Sequence, residues 1–143
     1  MTPGFSCTFI LAACMMVKAT FAATTEPETQ AKADVLGTPI VEVKIPAAMI
    51  GGHPTGEMLY EENCASCHGA KAGGRAGIAP PLVHRIYEPA HHGDAAFRRA
   101  VAEGAPQHHW SFGDMPPVPG VDDGSMDYIL EYLRAVQRAN GID

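Results

Sequence analysis

Positive charge is scarce in this chain of 143 residues, where 10 lysines and arginines stand against 16 aspartates and glutamates for a net charge of −6. Such a surface repels phosphate backbones and argues against nucleic-acid binding. Long apolar runs are missing too: the stretch Phe5 to Val17 is broken by Lys18 well short of the roughly 20 residues a membrane-spanning helix needs. Cysteine is limited to four residues, with Cys7 and Cys14 inside that apolar stretch and Cys64 and Cys67 close together, which is not the layout of a two-disulfide framework. The length accommodates one domain and excludes a large catalytic architecture. What the chain has in excess is loop-forming residues, 15 glycines and 12 prolines. A small, loop-rich domain of this kind needs a staple beyond its own apolar core.

The N-terminal segment reads as an export signal, residues 1–22. An apolar core at Phe5–Val17 is followed by small residues, with Thr20 and Ala22 at the −3 and −1 positions for cleavage before Ala23. Cleavage there removes Cys7, Cys14 and Lys18 and leaves a charge of −7 on the mature chain. A competing reading takes Leu11-Ala12-Ala13-Cys14 as a lipobox, with Cys14 lipidated; against it, Met15-Met16-Val17 continue the apolar run where a polar tether is expected. Either way the expected destination is the bacterial periplasm. Residues 23–50 read as a polar tether followed by an extended segment with alternating Ile40, Val41, Val43 and Ile45.

Cys64-Ala65-Ser66-Cys67-His68 carries the chemistry. Two thiols one helical turn apart can each add to a vinyl group on one porphyrin edge, and the adjacent imidazole then faces the iron, so the pattern predicts a covalent c-type haem. A thioredoxin-like pair would need a strand-to-helix context, and a zinc site a second Cys or His pair at ligand spacing; the sequence supplies neither.

Helical periodicity surrounds this motif. One helix is predicted from Thr55, as cap, to Ala65, with Leu59, Tyr60, Asn63 and Cys64 on one face. A second is predicted from Met126 to Ala139, where Met126, Ile129, Leu130, Leu133 and Val136 form an apolar stripe, Asp123 or Ser125 caps the start and Arg134 and Arg138 suit the negative end. Between them Asp94 is the expected cap of a shorter helix with Phe97, Ala100 and Val101 inward and Gly104 as its stop.

With these elements in this order, residues 51–143 resemble a class I cytochrome c, the small monohaem electron-carrier family. The resemblance implies an all-α fold of three main helices and long loops wrapped around one haem. It also implies that Gly56 and Tyr60 meet the C-terminal helix at a crossing faced by Tyr132. Pro80, in Ala79-Pro80-Pro81-Leu82, offers its carbonyl to His68 while Leu82 packs on the haem. Met115, in Gly113-Asp114-Met115-Pro116-Pro117, becomes the second axial ligand, held by the prolines that follow it. Met49, Met58 and Met126 are the other methionine candidates, with a core role expected for the helical ones. Trp110 is placed to donate to a haem propionate, and Arg75 and Arg85 to offset propionate charge. Leu59, Tyr60, Leu82, Phe97 and Leu130 are expected to exclude water from the haem.

These features point to a one-electron carrier that is not itself an enzyme, working free or as a subunit of a respiratory or dehydrogenase system, with protein redox partners and membrane contact only through a lipid or a partner complex. Two rivals remain in the sequence: a peroxidase-like enzyme with an open distal site, and a copper-binding protein. The second arises because His91-His92 and His108-His109 exceed what an electron carrier needs. Adjacent residues seldom aim both rings at one metal, so these histidines are expected instead to bond propionates or backbone carbonyls.

Overall fold

In a computed structural model, residues 1, 37–45 and 53–143 are described. The leader with its cleavage site, the lipid site at Cys14 and the tether before residue 37 lie outside the described residues, as does Met49.

Among the described residues four α-helices form, α1 (Pro54–Asn63), α2 (Ala65–His68), α3 (Asp94–Glu103) and α4 (Asp123–Ala139), with 3₁₀ turns at Ala70–Ala72 and Arg85–Tyr87. Among the described residues there is no strand, only isolated bridges, and the fold is all-α. α1 starts a residue earlier than Thr55, because Pro54 at the first helical position has the required φ and lacks only an N–H that would be unpaired there anyway. Its cap residue is His53, not Thr55, and no side-chain cap bond forms. The chain leaves helical geometry at Cys64 (φ −120°, ψ −34°) and restarts as the single turn α2, so the haem-attachment motif straddles a break instead of continuing one helix.

The caps of α3 and α4 also fall earlier than the sequence suggested. Gly93 caps α3, which frees the Asp94 carboxylate to accept from Arg134 Nε at 2.8 Å. Asp122 caps α4, its Oδ1 accepting from Ser125 N–H at 2.7 Å, and this starts the helix three residues before Met126. At the other end Asn140 closes α4, and Gly141 follows at φ +75°.

The core is the α1–α4 crossing. Tyr60, Met126, Ile129, Leu130, Leu133 and Val136 are buried there, and Tyr60 and Tyr132 pack with ring centroids 5.6 Å apart. Each large apolar side chain so buried contributes about 2 kcal/mol. Backbones approach closely at Gly56, where a Cβ would lie 2.1 Å from the Tyr128 carbonyl oxygen. Only glycine permits that distance.

Residues 37–45 lie along this core. Ile40 and Val41 donate from their backbones to the Gly73 carbonyl at 3.1 and 3.0 Å, Lys44 exchanges hydrogen bonds with the Asn140 side chain, and Val43 and Ile45 pack against the cluster.

Candidate functional site

α2 is short, yet it carries the motif to the wall of a cavity of about 530 Å³. That volume is in the range of roughly 300–1,000 Å³ typical of cofactor-sized ligands. Cys64, Cys67 and His68 line one side, and Met115 and Pro116 also contribute to the wall. His68 N–H and Cys67 N–H both donate to the Cys64 carbonyl, at 2.9 and 3.1 Å, which fixes the two sulfurs and the imidazole to one turn. Cys64 and Cys67 are not joined to one another. Burial, and secondarily the neighbouring Cys67, pushes the Cys64 thiol up to about 11. A redox-exchange motif instead depends on a depressed thiol pKa, so a thioredoxin-like role does not fit.

His68 is buried, and its Nδ1 lies 2.9 Å from the Pro80 carbonyl oxygen. A carbonyl can only accept, so the proton belongs on Nδ1 and Nε2 keeps its lone pair. Desolvation lowers the His68 pKa and the Pro80 carbonyl opposes that shift in part, an environment that keeps the ring neutral and ready to ligate. The backbone route to Pro80 passes through a left-handed pair, Lys71 (φ +57°) and Ala72 (φ +62°), and the Ala72 carbonyl then accepts from both Leu82 and Val83.

Met115 is half-buried and held by its backbone. It exchanges hydrogen bonds with Ala105 at 2.8 and 2.9 Å, a two-bond neck that closes the loop between them. Gly104 makes this possible: its φ of +83° turns the chain out of α3, and a Cβ there would sit 2.6 Å from the Met115 carbonyl oxygen. Within the loop, Gln107 N–H donates to Asp114 Oδ1 and Gly113 N–H to Gln107 Oε1.

The other expected residues divide. Leu82 and Phe97 line the cavity, whereas Leu59, Tyr60 and Leu130 do not, because the helix crossing takes them up. Tyr60 instead donates its hydroxyl to the Gly69 carbonyl at 2.8 Å. Met126, assigned to the core, is buried and also lines the cavity, while Met58 is 53% exposed and has no core role. Arg75 and Arg85 are absent from the lining; Arg75 is taken by the Ser66 carbonyl, and the arginine on the wall is Arg99. Trp110 is on the wall beside His84, with ring centroids 5.1 Å apart. Its buried Nε1 has no hydrogen-bond partner of good geometry, although the indole N–H partly offsets the upward pKa shift that burial gives the nearby Tyr87 hydroxyl. A buried donor without an acceptor is costly, and a bound group bearing oxygens would satisfy it.

Residues 54–137 match the family model described as Cytochrome c. The chain belongs to the cytochrome c family. No match was found among curated proteins or among solved structures. Membership supports a haem-based electron carrier with covalently bound haem c, and the cavity fits that group in volume, in its paired cysteines and adjacent neutral imidazole, and in the orphaned indole N–H.

Two features of this cytochrome c were not anticipated. Arg134 is buried, with its guanidinium donating to Asp94, to the Tyr87 and His92 carbonyls and to Gln137 Oε1, and lying 5.0 Å from the Phe97 ring centroid. Gln137 in turn donates to the Leu82 carbonyl at 2.8 Å. Arg134 follows Leu130 by four positions, so the helical period itself put it on the inner face. The second is the meeting of the histidine pairs: His91 Nε2 lies 3.2 Å from His109 Nε2, and His92 Nε2 lies 3.4 Å from His108 Nε2. Some desolvation together with His108, His92 and His91 lowers the pKa of His109.

Proposed function

We propose that this cytochrome c is an exported one-electron carrier that is not itself an enzyme, in which Cys64 and Cys67 would tether the haem through thioethers and His68 and Met115 would ligate its iron. The observation that carries this reading is the placement of His68 and Met115 on one cavity, each fixed by backbone hydrogen bonds of its own segment. When bound, haem c supplies an iron that exchanges one electron between its ferrous and ferric states. His68 offers Nε2 while its Nδ1–H is held by Pro80, so ring orientation does not change with charge. Met115 offers a soft thioether, which favours the reduced state and raises the potential. Leu82, Phe97, Val101, Ile129 and Leu133 form an apolar wall that excludes water, which limits reorganisation during transfer.

Cys67 is exposed, and the surface beside it is the contact point for redox partner proteins through a small, transient interface. The apolar stretch and small residues before Ala23 support export to the bacterial periplasm, free or as a subunit of a respiratory or dehydrogenase system, and any membrane attachment comes through Cys14 or a partner complex. Among the described residues no helix is long and apolar enough to cross a membrane.

Ligand substitution tests the site. Met115→Ala should abolish the weak long-wavelength sulfur-to-iron absorption of the ferric protein, lower the midpoint potential and admit carbon monoxide readily, while Met126→Leu should change none of these. An unaltered spectrum in Met115→Ala overturns the assignment. The mass of the mature protein checks cleavage before Ala23 and covalent haem together.

A further inference from the structure

His91 and His92 sit on one turn, where both backbone N–H groups donate to the Glu88 carbonyl at 3.0 and 2.8 Å. His108 and His109 sit on the loop closed by Ala105 and Met115. Neither pair chelates by itself; the two pairs meet across the gap between their segments, bringing the Nε2 atoms to 3.2 and 3.4 Å.

The proton positions give this contact its meaning. His92 Nδ1 is 2.7 Å from the Ile86 carbonyl oxygen, and His108 Nδ1 is 2.8 Å from the Pro106 carbonyl oxygen. Both Nδ1 atoms therefore carry the proton, and in the neutral rings both Nε2 atoms present lone pairs. Two lone pairs facing each other at 3.4 Å repel unless a cation lies between them. Tetrahedral coordination with metal–nitrogen distances of about 2.0–2.1 Å separates neighbouring donors by roughly 3.3–3.4 Å. The spacing of both cross-pairs is close to this. The ligating atoms of His91, His92 and His109 all lie within 4.8 Å of one another.

The surroundings are those of a prepared metal site. Ligating histidines usually donate their second N–H to a backbone carbonyl, as His92 and His108 do here. Arg134, largely buried, holds the His92 carbonyl at 2.6 Å and thereby anchors the turn. The cluster offers imidazole nitrogen and no carboxylate, which selects against calcium and magnesium and for zinc or copper.

We propose that His91, His92 and His109 bind one divalent ion of the zinc–copper class, with His108 set against His92 beside it. His92, His108 and His109 also line the haem cavity, so the ion sits at its rim, separate from the axial positions. The inference does not depend on which methionine ligates the iron.

The test uses the full, exported, haem-loaded protein without an affinity tag, stripped with chelator and titrated calorimetrically with zinc, followed by elemental analysis of zinc per haem iron. One zinc per haem is expected, and the affinity should fall by roughly tenfold or more in His91→Ala and in His109→Ala. The His91 side chain is exposed and lies off the cavity wall, so His91→Ala should retain its haem absorption, which reports that it folds. His53→Ala, whose ring faces Glu131 instead, should bind zinc as the parent does. With copper(II), electron paramagnetic resonance should show coupling to several nitrogens, lost in the same two variants. Absence of stoichiometric zinc, or binding that survives the double substitution of His91 and His109, overturns the proposal.

Discussion

Arg134 Nη2 donates to the His92 carbonyl oxygen at 2.6 Å, tying the C-terminal helix to the turn that carries the first histidine pair. The same guanidinium reaches Asp94 at the start of α3 and the Tyr87 carbonyl, so one side chain fixes three segments. Arg134→Met should destabilise the haem-loaded protein by about 3 kcal/mol, because partly buried carbonyls lose their donor. Arg134→Lys should recover only part, since an ammonium cannot reproduce the planar fork. Denaturant unfolding measures both.

The α1–α4 crossing predicts opposite results for one chemical change at two glycines. Gly56→Ala forces a methyl group into the Tyr128 backbone, an overpacking cost of about 3 kcal/mol that a helix-propensity gain of about 1 kcal/mol does not offset. Gly124→Ala meets only the Asp122 side chain at 3.7 Å and should stabilise by about 0.5 kcal/mol. Unfolding midpoints moving in the same direction would contradict the crossing geometry.

Two tyrosines in the same core differ in what their hydroxyls do. The Tyr60 hydroxyl bonds the Gly69 carbonyl, which also accepts from the Ala72 N–H at 3.2 Å, so Tyr60→Phe removes one of two donors to a buried acceptor and should cost about 1 kcal/mol. The Tyr132 hydroxyl is buried without a partner, and its pKa is pushed up to about 12 by burial first and by nearby Glu57 and Glu61 second. Tyr132→Phe should be neutral or stabilising by up to about 1 kcal/mol. Thermal unfolding of the two variants in parallel separates the cases.

The α4 cap adds a pH-dependent element. Hydrogen bonds from the Ser125 backbone and side chain hold the Asp122 carboxyl below its usual value. Its folded pKa is therefore lower than its unfolded one, and its contribution is complete above the unfolded value of about 3.9 and is lost as pH falls through the folded value. Asp122→Ala should be less stable than the parent at neutral pH, with the gap closing in acid, whereas Asp122→Asn should keep a cap that does not titrate. A gap unchanged between neutral and strongly acidic pH would contradict this assignment.

Much of this architecture was legible because periodicity and covalent chemistry are local properties. The stripe from Met126 to Val136 predicted the long helix, and Cys64-Ala65-Ser66-Cys67-His68 predicted the haem. Helix starts were less legible: Asp122, Asp123 and Ser125 all suit a cap, and only tertiary packing selects among them. The charge of Arg134 suits a helix end, yet its spacing from Leu130 places it inward. The meeting of the histidine pairs was out of reach, since it depends on how the turn after Glu88 and the loop after Ala105 are arranged in space.

The paired hydrogen bonds between Ala105 and Met115 fasten that loop where it begins and ends, independently of what lies between. Its interior is therefore free to diversify as a cassette. Its exposed histidines can be exchanged by evolution or by an engineer, while Trp110 stays on the haem wall, giving one carrier scaffold several different surfaces around an unchanged anchor.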